Sequence, residues 1–351
     1  MFKAEKIASE IVEIVSRELH LDKRFVVLDY VFQHNSNKPH VTFLVSSSFI
    51  GNGIQSYLKH RVEQLPFSYS VEVLPSAAIG EKKFVLCNVS VAPVMKSNTH
   101  QSEQITQILL GESADILQKE NDWLRIRLHH DGYIGWTSTN QMWPVNEKEL
   151  AIWQSKKKVS PRTLISPLLN SPEKSGEPIR EFLYGTFLPV KAVTKAWTSV
   201  TLPEGRIGWL QSSADISPNG KRSVLSAHLV ATAKMFLGIS YQWGGRSVKG
   251  FDCSGFTQTV FRLNGIEIPR DASLQWLTGS DAGNEKGNFA EGDLLFFSSK
   301  PERITHVGMS LGGAEFIHSS GFVKINSFNR SHSQFDNNLL QRFVGARRII
   351  E

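Results

Sequence analysis

A sequence repeat with a spacing of 74 residues restricts the possible folds of this chain more than any other feature. Each copy contains short stretches in which apolar and polar residues alternate, such as residues 123–128 and 197–202, and turn residues separate these stretches. Residues 133–136 recur as residues 206–209 at a spacing of 73, because the second copy has lost one residue. The residues matched at the full spacing are Pro93, Gly111 and Trp123 in the first copy and Pro167, Gly185 and Trp197 in the second. Short alternating strands are typical of small β-barrels, so we predict two related barrels.

Cys253 follows a turn bracketed by glycines and lies in the first turn of a predicted helix. Phe256, Val260 and Leu263 have the spacing of one helix face, and Gly265 is placed to end the helix. Free backbone N–H groups at a helix N-terminus favour a thiolate, and they can also bind the oxyanion of a tetrahedral intermediate. An arbitrary cysteine is more often buried and inert. The setting of Cys253 instead favours a nucleophile.

Two histidines, His306 and His318, lie twelve residues apart in a predicted pair of strands. If residues 311–313 form a three-residue loop, the two histidines lie directly opposite each other on one face. A two-residue Gly-Gly loop would place them on opposite faces. In the first arrangement His306 would act as the base for Cys253, and His318 would orient its imidazole. Most single histidines are ordinary strand residues with a satisfied hydrogen bond, so the prediction depends on the two histidines and the cysteine together.

Four short motifs occur in the order 250–255, 291–297, 305–308 and 316–318. Together they resemble the NlpC-type cell-wall cysteine peptidases, and the resemblance covers about residues 222–350. It implies a compact papain-like fold and a catalytic triad of Cys253, His306 and His318. It also implies hydrolysis of peptide bonds in peptidoglycan stem peptides. We expect neither a cofactor nor a metal ion.

The end of the first repeat copy, residues 131–136, resembles bacterial SH3-like domains, and the second copy is more degenerate. The expected fold class is therefore α+β, with a papain-like (NlpC-type) catalytic domain preceded by two SH3-like β-barrels and a small α/β N-terminal region. The predicted domains are the N-terminal region at 1–80, the first barrel at 81–145, the linker and second barrel at 146–216, and the peptidase at 222–351.

Within the N-terminal region, the residue pattern predicts a helix at the start and strands over residues 24–32 and 40–45. A second helix is predicted near residues 54–63. Between the barrels, residues 144–165 mix charge with proline and are expected to form a surface connection.

The order of the domains resembles a narrower group, the γ-D-glutamyl-L-diamino acid endopeptidases of the YkfC type. Their implied substrate is a stem peptide with a free N-terminal L-alanine, which is cut after the D-glutamate. The resemblance implies that the first SH3-like domain closes the far side of the active site. A glycan attached to the alanine would then clash, so the substrate would be a released murein peptide.

A free ammonium in a closed cleft needs a carboxylate and hydrogen-bond acceptors. Asp252 and Ser254, next to the nucleophile, can supply them. The resemblance places Tyr241 beside the substrate backbone and Tyr133 over the site from the first barrel. Glu103 is the candidate for a second carboxylate at the amine. Tyr133 could alternatively be a surface aromatic of the barrel, and Glu103 a solvated loop charge.

Composition restricts the partners and the compartment. The net charge of +6 is ordinary for a soluble protein, and no basic run interleaved with aromatic residues indicates nucleic-acid binding. No apolar run reaches the roughly 18 residues needed for a membrane span, so no membrane insertion is expected. Residues 1–15 interleave charges with apolar residues and lack a signal-peptide core, which favours a cytoplasmic location. A trimmed N-terminus would instead permit a periplasmic or extracellular one.

Two hypotheses from other classes remain open. Cys253, His306 and His318 could bind zinc, although no fourth ligand is apparent at metal spacing. Alternatively, the chain could be a peptidoglycan-binding SH3-like module with an inactive peptidase fold. Trp243 and Trp276 are expected to be packing residues. The choice between diaminopimelate and lysine and the oligomeric state are not predicted.

Overall fold

The computed structural model describes residues 2–33, 39–211, 214–216, 226–300 and 303–350. The chain divides into two compact units. The first consists of residues 1–86, 95–102 and 113–154, and the second of residues 87–94, 103–112 and 155–351. The division into four domains stays a prediction, and its peptidase boundary at residue 222 lies outside the described residues.

The N-terminal region is a three-stranded sheet with two helices, as the α/β prediction expects. Its elements are α1 (Phe2–Glu18), β1 (Leu28–Gln33), β2 (His40–Val45), α2 (Ser48–Leu58) and β3 (Ser68–Val73). Strand β2 is central, with β1 antiparallel and β3 parallel to it. Ala8 of α1, Phe43 of β2 and Ile54 of α2 belong to one buried apolar core, so both helices are held by packing on the sheet.

Three details of this region differ from the sequence prediction. The strand predicted from residue 24 begins at Leu28, because the Asp22 carboxylate accepts hydrogen bonds from the backbone and side chain of Arg24 and so forms a turn. The helix predicted near residues 54–63 is α2, which starts earlier because the Ser47 hydroxyl caps its N-terminus. Strand β3 has no counterpart in the prediction.

Two seven-stranded sheets follow. The first contains β4 (Phe84–Cys87), β5 (Val91–Met95), β6 (Gln104–Leu109), β7 (Ser113–Glu120), β8 (Trp123–Leu128), β9 (Ile134–Ser138) and β10 (Met142–Val145). After helix α3 (Glu147–Ser155), the second contains β11 (Lys158–Pro161), β12 (Ile165–Leu169), β13 (Pro178–Leu183), β14 (Leu188–Val193), β15 (Trp197–Thr201), β16 (Ile207–Gln211) and β17 (Ala214–Ile216).

The two sheets have the same strand order, as a duplication requires. The order is β10-β4-β7-β8-β9-β5-β6 in the first and β17-β11-β14-β15-β16-β12-β13 in the second. The repeated glycines Gly111 and Gly185 both have a positive φ, 81° and 85°. Because residues with a side chain rarely adopt this conformation, the repeat preserves glycine at the same turn.

Residues 144–165, expected to be a surface connection, contain helix α3 and strand β11. The helix begins with a capping box. The Asn146 side chain accepts a hydrogen bond from the Glu149 N–H, and the Glu149 carboxylate accepts one from the Asn146 N–H, each at 2.9 Å. This reciprocal pair starts a helix in a stretch whose composition resembles a linker.

The remaining elements form a six-stranded antiparallel sheet with helices. They are α4 (Ser226–Met235), β18 (Arg246–Ser247), β19 (Gly250–Phe251), α5 (Cys253–Leu263), α6 (Ala272–Gln275), β20 (Ser280–Asp281), β21 (Leu294–Phe297), β22 (His306–Ser310), β23 (Glu315–Ser320), β24 (Phe322–Ser327), α7 (Asn337–Arg342) and β25 (Phe343–Arg348). The strand order is β20-β25-β21-β22-β23-β24. Helix α5 lies against this sheet, and Phe256 and Val260 share a buried core with Met309 and Ile317.

Helix α5 has the predicted limits, and Gly265 follows its end with a φ of 81°. The expectation that Trp276 packs is also confirmed, since its ring meets Phe296 edge-on at 5.2 Å and lies 4.0 Å from the Arg347 guanidinium. None of the described helices is both long and apolar enough to cross a bilayer.

Replacing Gly255 with alanine should destabilise the second unit. A Cβ atom at this position would lie 2.1 Å from the carbonyl oxygen of Gly245, so the backbone beside Cys253 has to shift. Overpacking of this kind costs about 1–3 kcal/mol, measurable as a loss of unfolding free energy in chemical denaturation. Gly265→Asn is the control, because its site has open space and asparagine tolerates a positive φ. Equal losses of unfolding free energy in the two variants would show that the contact with the Gly245 carbonyl is not the cause.

Candidate active site

The candidate nucleophile lies at the N-terminus of α5. Asp252 is the N-cap residue, and its carboxylate accepts a hydrogen bond from the Gly255 N–H at 2.6 Å. The Asp252 N–H in turn donates to the carbonyl of Gly245 at 3.0 Å. These two bonds fix the turn on both sides of Cys253, whose side chain is 9% exposed.

The protonation of Cys253 differs from the sequence expectation. Burial, followed by the negative charge of Asp252, raises the pKa of the thiol to about 12. The backbone N–H groups of Val307 and Ser254 hydrogen-bond to the sulfur and act in the opposite direction, but their effect is smaller. The backbone amides therefore favour the thiolate, as expected, but desolvation of the charged form outweighs them and keeps the thiol protonated.

His306 and His318 lie on one face of adjacent strands, as the triad arrangement requires. The register pairs Met309 with Ile317 and Ser310 with Phe316, so the two histidines are diagonal neighbours. The prediction that they lie directly opposite each other is wrong, although the odd length of the loop keeps them on the same face.

The diagonal arrangement still brings the two rings into contact. His306 Nε2 and His318 Nδ1 are 2.7 Å apart, a hydrogen bond between imidazoles. Gly308, two residues after His306, provides space beside them, because a Cβ atom there would lie 3.1 Å from the Cβ of His318. A side chain at residue 308 would therefore crowd His318, whereas glycine leaves room for the two imidazoles.

Both histidines are held in the neutral form. Burial and the adjacent His318 lower the pKa of His306 to about 3. Burial also lowers the pKa of His318 to about 4, although a hydrogen bond to Asn326 opposes this effect. At neutral pH the site therefore contains a thiol and two uncharged imidazoles, so one imidazole can accept a proton.

Asn326 of β24 is a site residue that the sequence analysis missed. Its Oδ1 lies 2.8 Å from Nε2 of His318, and its side chain is buried. The tight turn at Gly321, which has a positive φ, pairs β24 with β23. The available signal was Gly321, five residues before Asn326, but β24 itself has no predicted counterpart.

Arg270 is a second missed residue, and it determines the surroundings of Asp252 and Ser254. Its guanidinium is 1% exposed and binds both Asp252 oxygens, at 2.5 and 3.0 Å. It also donates to the Ser254 hydroxyl at 3.1 Å and to the Thr106 hydroxyl at 3.0 Å. The charge of Asp252 is thus compensated within the protein.

Tyr241 and Glu103 both lie in the second unit. Burial, then the nearby Cys253 and Asp252, raises the pKa of Tyr241 to about 12, so its phenol stays protonated. Glu103 is exposed, directly precedes β6 and accepts a hydrogen bond from the Trp243 indole at 3.0 Å. Trp243 is 62% exposed, so the expectation that it is a packing residue is wrong.

Tyr133 lies in the first unit. Its side chain is 6% exposed and meets Phe25 edge-on, with ring centroids 5.8 Å apart. The alternative that it is a surface aromatic is therefore wrong, and its role at the substrate stays a prediction.

The hydrogen bonds of His318 argue against the zinc hypothesis. One ring nitrogen contacts His306 and the other contacts Asn326, so neither is directed at a shared metal position. Among the described residues, no group of three or more His, Cys, Asp or Glu side chains could hold a metal ion. Cys87 and Cys253, both described, carry free thiols.

Comparisons with known proteins agree with this geometry. The NlpC/P60 family matches residues 238–344, and the bacterial dipeptidyl-peptidase SH3 domain matches residues 94–142. A gamma-D-glutamyl-L-lysine dipeptidyl-peptidase from Bacillus cereus is 30% identical over 267 residues, covering 72% of this chain and 77% of that protein. The chain belongs to the NlpC/P60 family.

Two further comparisons support the family membership. A gamma-D-glutamyl-L-lysine dipeptidyl-peptidase from Bacillus subtilis is 31% identical over 61% of this chain and 71% of that protein. A crystal structure of an NlpC/P60 family protein from Bacillus cereus has a TM-score of 0.66 at 26% identity, covering 76% of this chain and all of that one. The chain is thus an enzyme of a peptidase family, with the predicted α+β class and a papain-like catalytic domain.

The reaction of Cys253 with iodoacetamide should accelerate with pH over the whole accessible range. Because the thiol pKa is raised to about 12, the reactive thiolate fraction grows about tenfold per pH unit up to that value. The rate can be followed by mass spectrometry between pH 5 and pH 9. Cys253→Ser is the control, because it leaves only the buried Cys87. A rate that levels off below pH 8 would instead indicate a thiolate–imidazolium pair.

Proposed function

We propose that this NlpC/P60 chain is a cysteine endopeptidase that cuts the γ-D-glutamyl bond to the diamino acid in peptidoglycan stem peptides. The observation that carries the proposal is the arrangement around Cys253. The N–H of Val307 contacts the sulfur, and the preceding residue, His306, is hydrogen-bonded to His318. The two relatives named gamma-D-glutamyl-L-lysine dipeptidyl-peptidases support the choice of bond.

The proposed chemistry is acyl transfer through a thioester. His306 takes the proton of the Cys253 thiol as the sulfur attacks the γ-glutamyl carbonyl, and the amides at the N-terminus of α5 stabilise the oxyanion. The bond to the diamino acid then breaks, and His306 returns the proton to the departing amine. Water hydrolyses the thioester, again with His306 as the base, and releases the glutamate carboxylate.

A free N-terminal amine of the substrate would bring a positive charge that needs a carboxylate. Asp252 is close to the nucleophile, but Arg270 already compensates its charge. Glu103 supplies a second carboxylate, which is exposed and accepts a hydrogen bond from the Trp243 indole. We assign Asp252, Ser254 and Glu103 to the amine end of the substrate on this basis.

Strand β6 is hydrogen-bonded to residues near the candidate nucleophile, which supports a role for Glu103 directly before it. Gln104 donates to the backbone carbonyl of Trp243 at 2.8 Å. Two residues further on, Thr106 accepts from Arg270, and the Gln107 amide oxygen accepts from the backbone N–H of Arg246 at 3.0 Å. These bonds restrict the position of the segment that carries the carboxylate.

Two tyrosines complete the assignment. Tyr241, close to Cys253 and Asp252 and protonated, can donate a hydrogen bond to the substrate backbone or to the oxyanion. Tyr133 is assigned to the substrate by family resemblance alone.

The proposal predicts a specific product from L-Ala-γ-D-Glu-meso-diaminopimelate and from the corresponding L-lysine tripeptide. Mass spectrometry should detect L-Ala-D-Glu, with a smaller yield from the N-acetylated peptides. Cys253→Ala should abolish release, because it removes the nucleophile. The ratio of the two rates will also assign the diamino acid.

Other results would change the assignment. Equal cleavage of free and acetylated peptides would keep the peptidase but remove the roles of Asp252, Glu103 and Tyr133. If no peptide is cleaved while the chain and its Cys253→Ala variant both bind insoluble peptidoglycan, the chain is a binding module.

Glu103→Gln should raise KM for the free peptide by about tenfold and leave kcat largely unchanged, because one charge-assisted hydrogen bond contributes about 1.5–3 kcal/mol. KM for the N-acetylated peptide should change little, so the variant should prefer the free peptide less strongly than the wild type does. Glu177→Gln is the matched control, since Glu177 is an exposed carboxylate beside Asn170 between β12 and β13. A fall in kcat for both peptides would contradict the assignment.

A further inference from the structure

The hydrogen bonds beyond the triad form a chain that ends on a backbone carbonyl. The Asn326 side-chain nitrogen lies 2.9 Å from the carbonyl oxygen of Gln334, which also accepts the backbone N–H of Ser327 at 3.1 Å. A carbonyl oxygen can only accept hydrogen bonds. The atom of Asn326 that faces Gln334 must therefore be its NH₂ group, which leaves Oδ1 facing His318.

The orientation of the Asn326 amide determines which ring nitrogen carries the proton in His318 and in His306. Since Oδ1 of Asn326 only accepts, His318 must carry its proton on Nε2, 2.8 Å away. His318 is neutral because burial lowers its pKa to about 4, so its Nδ1 has no proton. That Nδ1 must then accept from Nε2–H of His306, at 2.7 Å, and the neutral His306 has an unprotonated Nδ1.

We propose that Asn326 is a positioning residue that sets the tautomers of His306 and His318, so that the unprotonated Nδ1 of His306 is the base for the Cys253 thiol. This inference rests on the proposed function for its catalytic meaning, but the tautomers can be measured without any substrate.

The opposite tautomers would be inactive. With a proton on Nδ1, His318 would donate to Nε2 of His306, and His306 would present an N–H to the thiol instead of a lone pair. No proton could then leave the sulfur by this route. When His306 gains a proton on Nδ1 during the reaction, no other proton in the chain has to move. The Nε2–H of His306 already donates to His318, and the Nε2–H of His318 already donates to Oδ1 of Asn326.

The environment of Asn326 favours this fixed role. Its side chain is 7% exposed, so water does not readily replace its hydrogen bonds. Gln334 is itself held, because its backbone N–H donates to Nδ1 of His332 at 3.1 Å, and Nε2 of His332 lies 2.9 Å from the Glu315 carboxylate. The loop that supplies the terminal carbonyl is therefore anchored to β23.

The first test is ¹⁵N NMR of the histidine rings in the wild-type chain at pH 7. The expected result is a protonated Nε2 and an unprotonated Nδ1 on both His306 and His318, with His306→Gln and His318→Gln used to assign the signals. A proton on Nδ1 of either ring would overturn the proposal, whether or not the chain cleaves stem peptides. The expected tautomers in a chain without peptidase activity would leave the proposal standing and remove the proposed function.

The second test separates positioning from folding. Asn326→Leu keeps the side-chain volume but removes both hydrogen bonds, and it should lower kcat about 100-fold or more at unchanged KM, with mixed tautomers in the ¹⁵N spectrum. Asn326→Asp keeps an acceptor for His318 and should retain at least about tenfold more activity than the leucine variant. Asn338→Leu, at an exposed position of α7, is the control and should leave kcat unchanged.

A kcat for Asn326→Leu within threefold of the wild type would overturn the proposal, as would an aspartate variant no more active than the leucine variant. If the leucine variant does not fold, the wild-type spectrum and the aspartate variant still decide the question.

Discussion

Buried polar side chains around the first turn of α5 hold the site together. Asp252 caps the helix and is bound by Arg270 through two hydrogen bonds. Gln275, fully buried, donates to the carbonyl of Ser254 at 3.1 Å and accepts from the Thr257 hydroxyl at 2.8 Å. Buried polar groups are costly when unpaired, and removing one partner of a buried ion pair costs about 3–5 kcal/mol. The proposed nucleophile is thus attached to a network that permits little movement.

The same burial explains the charge state of the site. Desolvation raises the pKa of the Cys253 thiol and lowers those of His306 and His318, so all three groups are neutral. In the proposed mechanism, charge separates only as the sulfur attacks a carbonyl, and the helix amides and the chain of imidazoles stabilise the two charges. A neutral thiol in a buried site also reacts slowly with other electrophiles, which favours selectivity for a bound substrate.

Local sequence patterns predicted much of the fold. The 74-residue repeat gave two sheets of the same strand order, because glycines at matched turns and alternating strands are encoded within each copy. Helix α5 and its end at Gly265 followed from apolar spacing and a single glycine. Helix α3 was missed because its capping box lies in a stretch of linker-like composition, and β3 and β24 were missed because strands depend on partners distant in sequence.

The sequence by itself determined which residues are the candidates for chemistry, since a cysteine after a glycine-rich turn and two histidines on paired strands are local patterns. Only the tertiary structure decided the protonation states of these residues and their contacts. Arg270 reaches Asp252 from 18 residues away, Asn326 reaches His318 from the next strand, and the histidines are diagonal rather than opposed. Burial then reversed the expected ionisation of Cys253. Spacing along the chain encodes local geometry, whereas desolvation and long-range hydrogen bonds depend on what the folded chain packs around each group.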